Sequence, residues 1–195
     1  MRAMLRKLYD RTLLLAEHRH ALWLLALVAF VESSVFPIPP DVLLIPIILA
    51  RPHMAFRIAA ICTVSSVAGG ALGYAIGAML FDTVGQPVLA FYGMEAKFDT
   101  FRSSFNENGA LAVLFAGITP FPYKVITILS GATDLNFAAF MGYSLIARAA
   151  RFFIVAALLW KFGPPIKTFI EKRLGLMFTI ACVLLIGGFM AVKYL

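Results

Sequence analysis

The segment F30-VESSVFPIPPDVLLIPIILA-R51-P52 decides how this chain folds. Its flanks are apolar enough for a lipid bilayer, yet it carries Glu32, Asp41 and a cluster of helix breakers at Pro37, Pro39 and Pro40. The apolar stretch from Ala21 to Ala50 is therefore interrupted in its middle. The arm after the break, Asp41 to Ala50, would rise only ~15 Å as a helix, whereas crossing a hydrocarbon core of ~30 Å takes roughly 20 residues. The sequence thus predicts a helical hairpin that enters the membrane, turns at the prolines and leaves on the side it entered.

The composition of the whole chain agrees with a lipid environment. Of its 195 residues 62% are hydrophobic and 14% charged, with a mean hydropathy of +0.90, against about 25% charged in soluble domains. A net charge of +7 fits basic loops facing the cytoplasm and anionic headgroups. No Walker, zinc-finger or aromatic-basic RNA pattern supports a nucleic-acid partner. Cys62 and Cys182 each stand alone in an apolar run, which suits buried small side chains better than a disulfide or a metal pair; no metal and no cofactor is expected. Residues 1–20 place Met1, Met4, Leu5, Leu8, Thr12 and Leu15 on one helical face opposite Arg2, Arg6, Asp10 and Glu17, the pattern of an amphipathic helix on a membrane surface.

Residues 54–81 form a first span, with Gly69, Gly73 and Gly77 at four-residue spacing and Ser65 extending the row. Such a stripe lets another helix approach closely, either within the chain or between protomers of a homo-oligomer. Residues 84–108 read as a polar loop with a second surface helix whose face is Phe98, Phe101 and Phe105. Then G109-ALAVLFAGITPFPYKVITILSGA-T133 repeats the opening pattern: an apolar arm, a break at Pro120 and Pro122, a charged residue and a short arm. A full span follows at about 137–161, and another near 174–192. An offset of 83 residues carries Pro37 onto Pro120, Pro39 onto Pro122, Asp41 onto Lys124 and the start of the first span, Met54, onto Phe137.

With the N-terminus inside, eleven Lys and Arg fall on the cytoplasmic side (Arg2, Arg6, Lys7, Arg11, Arg19, Arg51, Arg57, Lys161, Lys167, Lys172, Arg173) and three outside (Lys97, Arg102, Lys193), as the positive-inside rule requires. Trp23 and Trp160 fall near the cytoplasmic interface, where an aromatic belt belongs. The expected fold is an all-α polytopic membrane protein, a single membrane domain over 1–195. It contains two inverted repeats (21–83 and 109–163), each a re-entrant hairpin plus a transmembrane helix, with an extra C-terminal transmembrane helix and amphipathic surface helices.

Five ionisable residues lie inside apolar segments: Glu32, Asp41, Lys124, Arg148 and Arg151. Each costs at least ~2.5 kcal/mol at the bilayer centre, so such groups pair or line a wet cavity. The offset suggests Asp41 against Lys124, while Arg148 and Arg151, at i and i+3 on one side of a span, suit Glu32 on the entry arm. Two acids against three bases leave one positive charge over. The short arms also aim their helix N-termini inward, which favours an anion. All but Glu32 have a structural alternative as well: Asp41 as a helix cap, Lys124 as its counter-ion, and the two arginines snorkelling to the interface. His18, His20 and His53 fall in surface segments. With no histidine at membrane depth to activate Ser130 and no HExxH or lipid-phosphatase motif, an enzyme is not expected.

ESSVFPIPPDVLL (32–44) and FAGITPFPYKVITILSGA (115–132) resemble the two signature segments of the DedA superfamily, most closely its YqaA-like branch. The resemblance covers roughly residues 20–165. It implies a protein of the bacterial inner membrane, multi-pass with a cytoplasmic N-terminus, that flips undecaprenyl phosphate or phospholipids; the eukaryotic VTT-domain relatives are phospholipid scramblases, and proton coupling has been proposed for several members. The family's membrane acids match Glu32 and Asp41, and its basic residue after the second turn matches Lys124. An arginine that many members carry before that turn is replaced here by Gly117-Ile118. The expected ligand is a phosphate-bearing lipid, with Glu32 and Asp41 gating or carrying protons and Lys124, Arg148 and Arg151 holding the headgroup. Transport of a small ion or metabolite, or a non-transporting assembly role, are the alternatives.

Overall fold

The computed structural model describes residues 20–36, 39–119, 121–163 and 165. The surface helix expected over 1–20, the turn residues Pro37 and Pro120, Cys182 and the span expected at 174–192 lie outside the described residues. All regular structure among those described is helical: α1 (Ala21–Ser34), α2 (Asp41–Ala50), α3 (Ala55–Leu80), α4 (Gln86–Tyr92), α5 (Glu95–Ile118), α6 (Tyr123–Ala132) and α7 (residues 137–163). Pro52–Tyr92 forms one continuous helical run that is long and apolar enough to cross a membrane, the one such run found among the described residues. It passes through a wider π-type turn at Phe81–Gly85 and ends at Gly93, whose φ of 61° stops the helix in the left-handed region.

α1 has 14 residues and α2 has 10, so each falls short of the roughly 20 residues a span requires. Ala21, Leu25 and Ala29 of α1 and Leu44, Ile47 and Ile48 of α2 share a buried cluster with Ala55–Cys62 at the start of α3 and with Phe152, Ala156 and Leu159 of α7. The end of α1 lies farther along α3, where the Ser33 carbonyl is 3.1 Å from the place a Cβ on Gly73 would take. α1 therefore runs alongside α3 and α2 returns, which makes α1–α2 a hairpin open toward the Ala55 end.

The second hairpin, α5–α6, opens toward the other end of α3. Arg102 of α5 is ion-paired with Asp134, and Asn106 donates to the Thr133 carbonyl at 2.8 Å. Gly131 of α6 lies on the Tyr74 carbonyl, and Gly77 of α3 on the Ile128 carbonyl, so closely that a Cβ at either glycine would collide with backbone. Gly69 meets the Phe30 carbonyl of α1 in the same way. The small-residue stripe thus packs within the chain, and it docks both hairpins onto α3. α7 runs back along α3, with Phe137 beside Tyr74 at 5.1 Å between centroids and Trp160 beside Phe56 at 5.9 Å.

Two expectations change here. Residues 95–108, whose polarity suggested a separate surface helix before a membrane arm at 109, are the first turns of α5; its backbone hydrogen bonds continue through the change of composition. Phe98, Phe101 and Phe105 do share a face, with neighbouring ring centroids 6.1 and 5.7 Å apart. Ser65 does not belong to the buried stripe, whereas Ser66, one residue on, is fully buried.

Candidate functional site

The two tips meet beside the middle of α7, at Arg148 and Arg151. Arg148 lies on the buried face of that helix. Its Nη2 donates to Glu32 Oε2 at 3.0 Å and its Nε to Ser66 Oγ at 2.6 Å. Its guanidinium carbon stands 4.7 Å from the ring centres of both Tyr123 and Phe152, close enough for cation–π attraction on each face. Nη1 finds no hydrogen-bond acceptor among the described residues, so the two rings are its immediate electrostatic surroundings. Ser33 and Ser66 are 2.7 Å apart, and the Ser33 hydroxyl donates to the Ala29 carbonyl. Thr127 of α6 donates to the Ser33 carbonyl at 3.0 Å.

Arg151, one turn on, pairs with Asp41 at 2.5 Å through Nη2 and donates Nη1 to the Thr119 carbonyl at 3.1 Å. Each arginine therefore touches both hairpins: Arg148 takes Glu32 from the first and Tyr123 from the second, and Arg151 takes Asp41 from the first and Thr119 from the second. Tyr123 is fixed in turn, since its hydroxyl donates to Ser144 Oγ at 2.5 Å. Places for a Cβ at Gly70 and Gly117 would lie 3.5 and 3.6 Å from its ring.

The pairing of Asp41 with Lys124 suggested by the repeat offset is not what forms. Asp41 turns to Arg151, and Lys124 makes no ion pair among the described residues. An offset aligns backbone positions, while a salt bridge depends on where a long side chain from a third helix can reach. Asp41 does not cap α2 either: it is the first helical residue, Pro40 takes the cap position, and no side-chain cap bond is made. The arginines are both paired, Arg148 with Glu32 and Arg151 with Asp41. Pro39, Pro40 and Pro122 stand at the turns, with Pro40 and Pro122 immediately preceding α2 and α6.

Several members of this constellation were not evident from the sequence. Ser66 lies one helical face with Gly69, Gly70 and Gly73, at spacings of three, four and seven, and that pattern could have flagged it. Ser33, Thr119, Tyr123 and Ser144 carry no comparable signal, because each matters only through a partner distant in the chain.

A polar cluster enclosed by apolar helices, at the meeting point of two helical hairpins, gives this helical protein an internal charged site. A family model described as the VTT domain matches residues 38–161, a range that includes Asp41, Lys124, Arg148 and Arg151, while Glu32 lies just before it. The chain belongs to this VTT-domain family, the DedA-type membrane proteins. It is also 39% identical over 151 residues to an uncharacterized protein of Haemophilus influenzae, covering 77% of this chain and 78% of that one. An uncharacterized protein of Histophilus somni is similar to the same extent. No solved structure matches.

Proposed function

We propose that this protein is a lipid transporter that moves an anionic, phosphate-bearing lipid across the bacterial inner membrane. In this reading the two hairpins are re-entrant and enter from opposite faces as inverted repeats, and α3 and the helix over 137–163 are the spans between them. The observation that carries it is the meeting of both tips at one charged cluster. Non-helical backbone at membrane depth is tolerated only against protein or a water-lined cavity. The two ion pairs balance, Lys124 on the second tip adds one formal positive charge, and α2 and α6 both start there, adding the positive ends of two helix dipoles. Lys124, Arg148 and Arg151 are the counter-charges for the headgroup, and Glu32 and Asp41 are the groups that gate the site or carry protons.

The test is transbilayer movement of fluorescent or radiolabelled lipid phosphates in proteoliposomes, with and without a pH gradient. Wild type should move the lipid. Lys124→Ala, which removes a charge-assisted contact of about 2 kcal/mol, should be slower by roughly thirtyfold, and Glu32→Gln should lose transport too. Acceleration by the gradient would assign the carboxylates to proton coupling. Well-folded wild-type protein that moves no lipid would reject this reading in favour of small-solute transport or an assembly role.

A further inference from the structure

The two ion pairs at the tips are built differently. In the Glu32–Arg148 pair the side chains are 14% and 1% exposed. Arg148 is further held by Ser66 and by two aromatic rings. Withdrawing Glu32 would strand a desolvated cation. In the Asp41–Arg151 pair the side chains are 24% and 20% exposed. Arg151 remains anchored to the Thr119 carbonyl if Asp41 leaves. Among the described residues the Asp41 side chain hydrogen-bonds to Arg151 alone. A phosphate oxygen offers Arg151 the same charge and the same short charge-assisted contact as the carboxylate. Lys124 stands on the same tip as Thr119, without an ion pair of its own among the described residues.

We propose that Arg151 is the base that accepts the phosphate monoanion, that Asp41 is its place-holder in the empty site, and that binding exchanges one anion for the other while Glu32–Arg148 stays closed as the joint between the hairpins. The proposal rests on the lipid-transport reading and narrows it. Three bases and two acids do not all handle substrate. Asp41, Arg151 and Lys124 do, and the exchange keeps one anion in direct contact with Arg151. Because Asp41 competes with the headgroup, removing its charge should tighten binding by the inverse of the fraction of time Arg151 is open, roughly fivefold for a part-exposed pair.

The experiment measures binding of short-chain phosphatidylglycerol and of inorganic phosphate to the full chain in detergent, with thermal melting alongside to confirm folding. Asp41→Asn should bind the lipid roughly fivefold more tightly than wild type, Arg151→Ala should not bind it measurably, and Glu32→Gln should bind it more weakly with a lowered melting temperature. Asp41→Ser serves if the Asn variant does not fold. Unchanged or weaker binding of both probes by a folded Asp41 variant overturns the exchange, as does tighter binding by Glu32→Gln. Tightening for inorganic phosphate but not for the lipid keeps the exchange and rejects the lipid as cargo.

Discussion

The two hairpins reach the same point with unlike equipment. The first has arms of 14 and 10 residues and brings two carboxylates, Glu32 and Asp41. The second has a first arm of 24 residues that begins in the polar segment at Glu95, and its tip carries Lys124 and no acid. Neither tip supplies the other's counter-ion. The joint is made by α7, whose arginines each hold an acid of the first hairpin and a backbone or ring group of the second. A repeated backbone plan thus need not repeat its chemistry: one half brings the anions, and an outside helix bridges them to the other half.

The largest effect is expected from separating one hairpin from α3. Gly77 and Gly131 hold the second hairpin, and Gly69 the first, by contacts with backbone carbonyls that cannot move aside as a side chain can. Gly131→Val should cost about 3 kcal/mol or more and leave little monodisperse protein in detergent chromatography; Gly69→Val should do the same through the first hairpin. Recovery of either variant at wild-type yield would mean that the close approach does not hold the hairpins.

A smaller effect is expected from the buried joint. Arg148→Ala leaves Glu32 without its partner and should lower stability by about 3 kcal/mol, whereas Arg148→Met with Glu32→Gln, which removes both charges, should regain much of that loss. The measurement is thermal melting in detergent, and a double variant no better than the single would show that the aromatic and Ser66 contacts, not the charge pairing, dominate. The smallest effect belongs to the base of the second hairpin. Arg102 and Asp134 are paired in the open, so Arg102→Ala should change stability by less than about 1 kcal/mol and lose most of even that difference at high salt.

Much of this plan was legible in the chain. Pro39, Pro40 and Pro122 mark where helices cannot continue, and an arm of ten residues after each break sets a length that physics compares directly with a bilayer. The charges inside apolar runs also declare themselves, since lipid makes each one expensive. Their pairing does not, because it depends on the rotation of α7 about its own axis, and the sequence holds that only through distant packing contacts such as Gly117 against Ala147. The extent of α5 was hidden for another reason. Polarity changes at residues 107–109, but helical hydrogen bonds are indifferent to polarity, and Gly109 packs against Leu135 instead of ending the helix.

In the proposed arrangement the hairpin tips stop inside the membrane and meet there. The direct test is labelling of single cysteines by a membrane-impermeant thiol reagent in sealed vesicles of each orientation, with Cys62 and Cys182 first replaced by alanine. Pro52→Cys should label from one face only and Met94→Cys from the other, while Phe36→Cys, at the first tip, stays shielded from the face at which Met94→Cys reacts. Labelling of Phe36→Cys from that face as fast as Met94→Cys would mean that the first hairpin crosses the bilayer, and the meeting of two opposed tips would be contradicted.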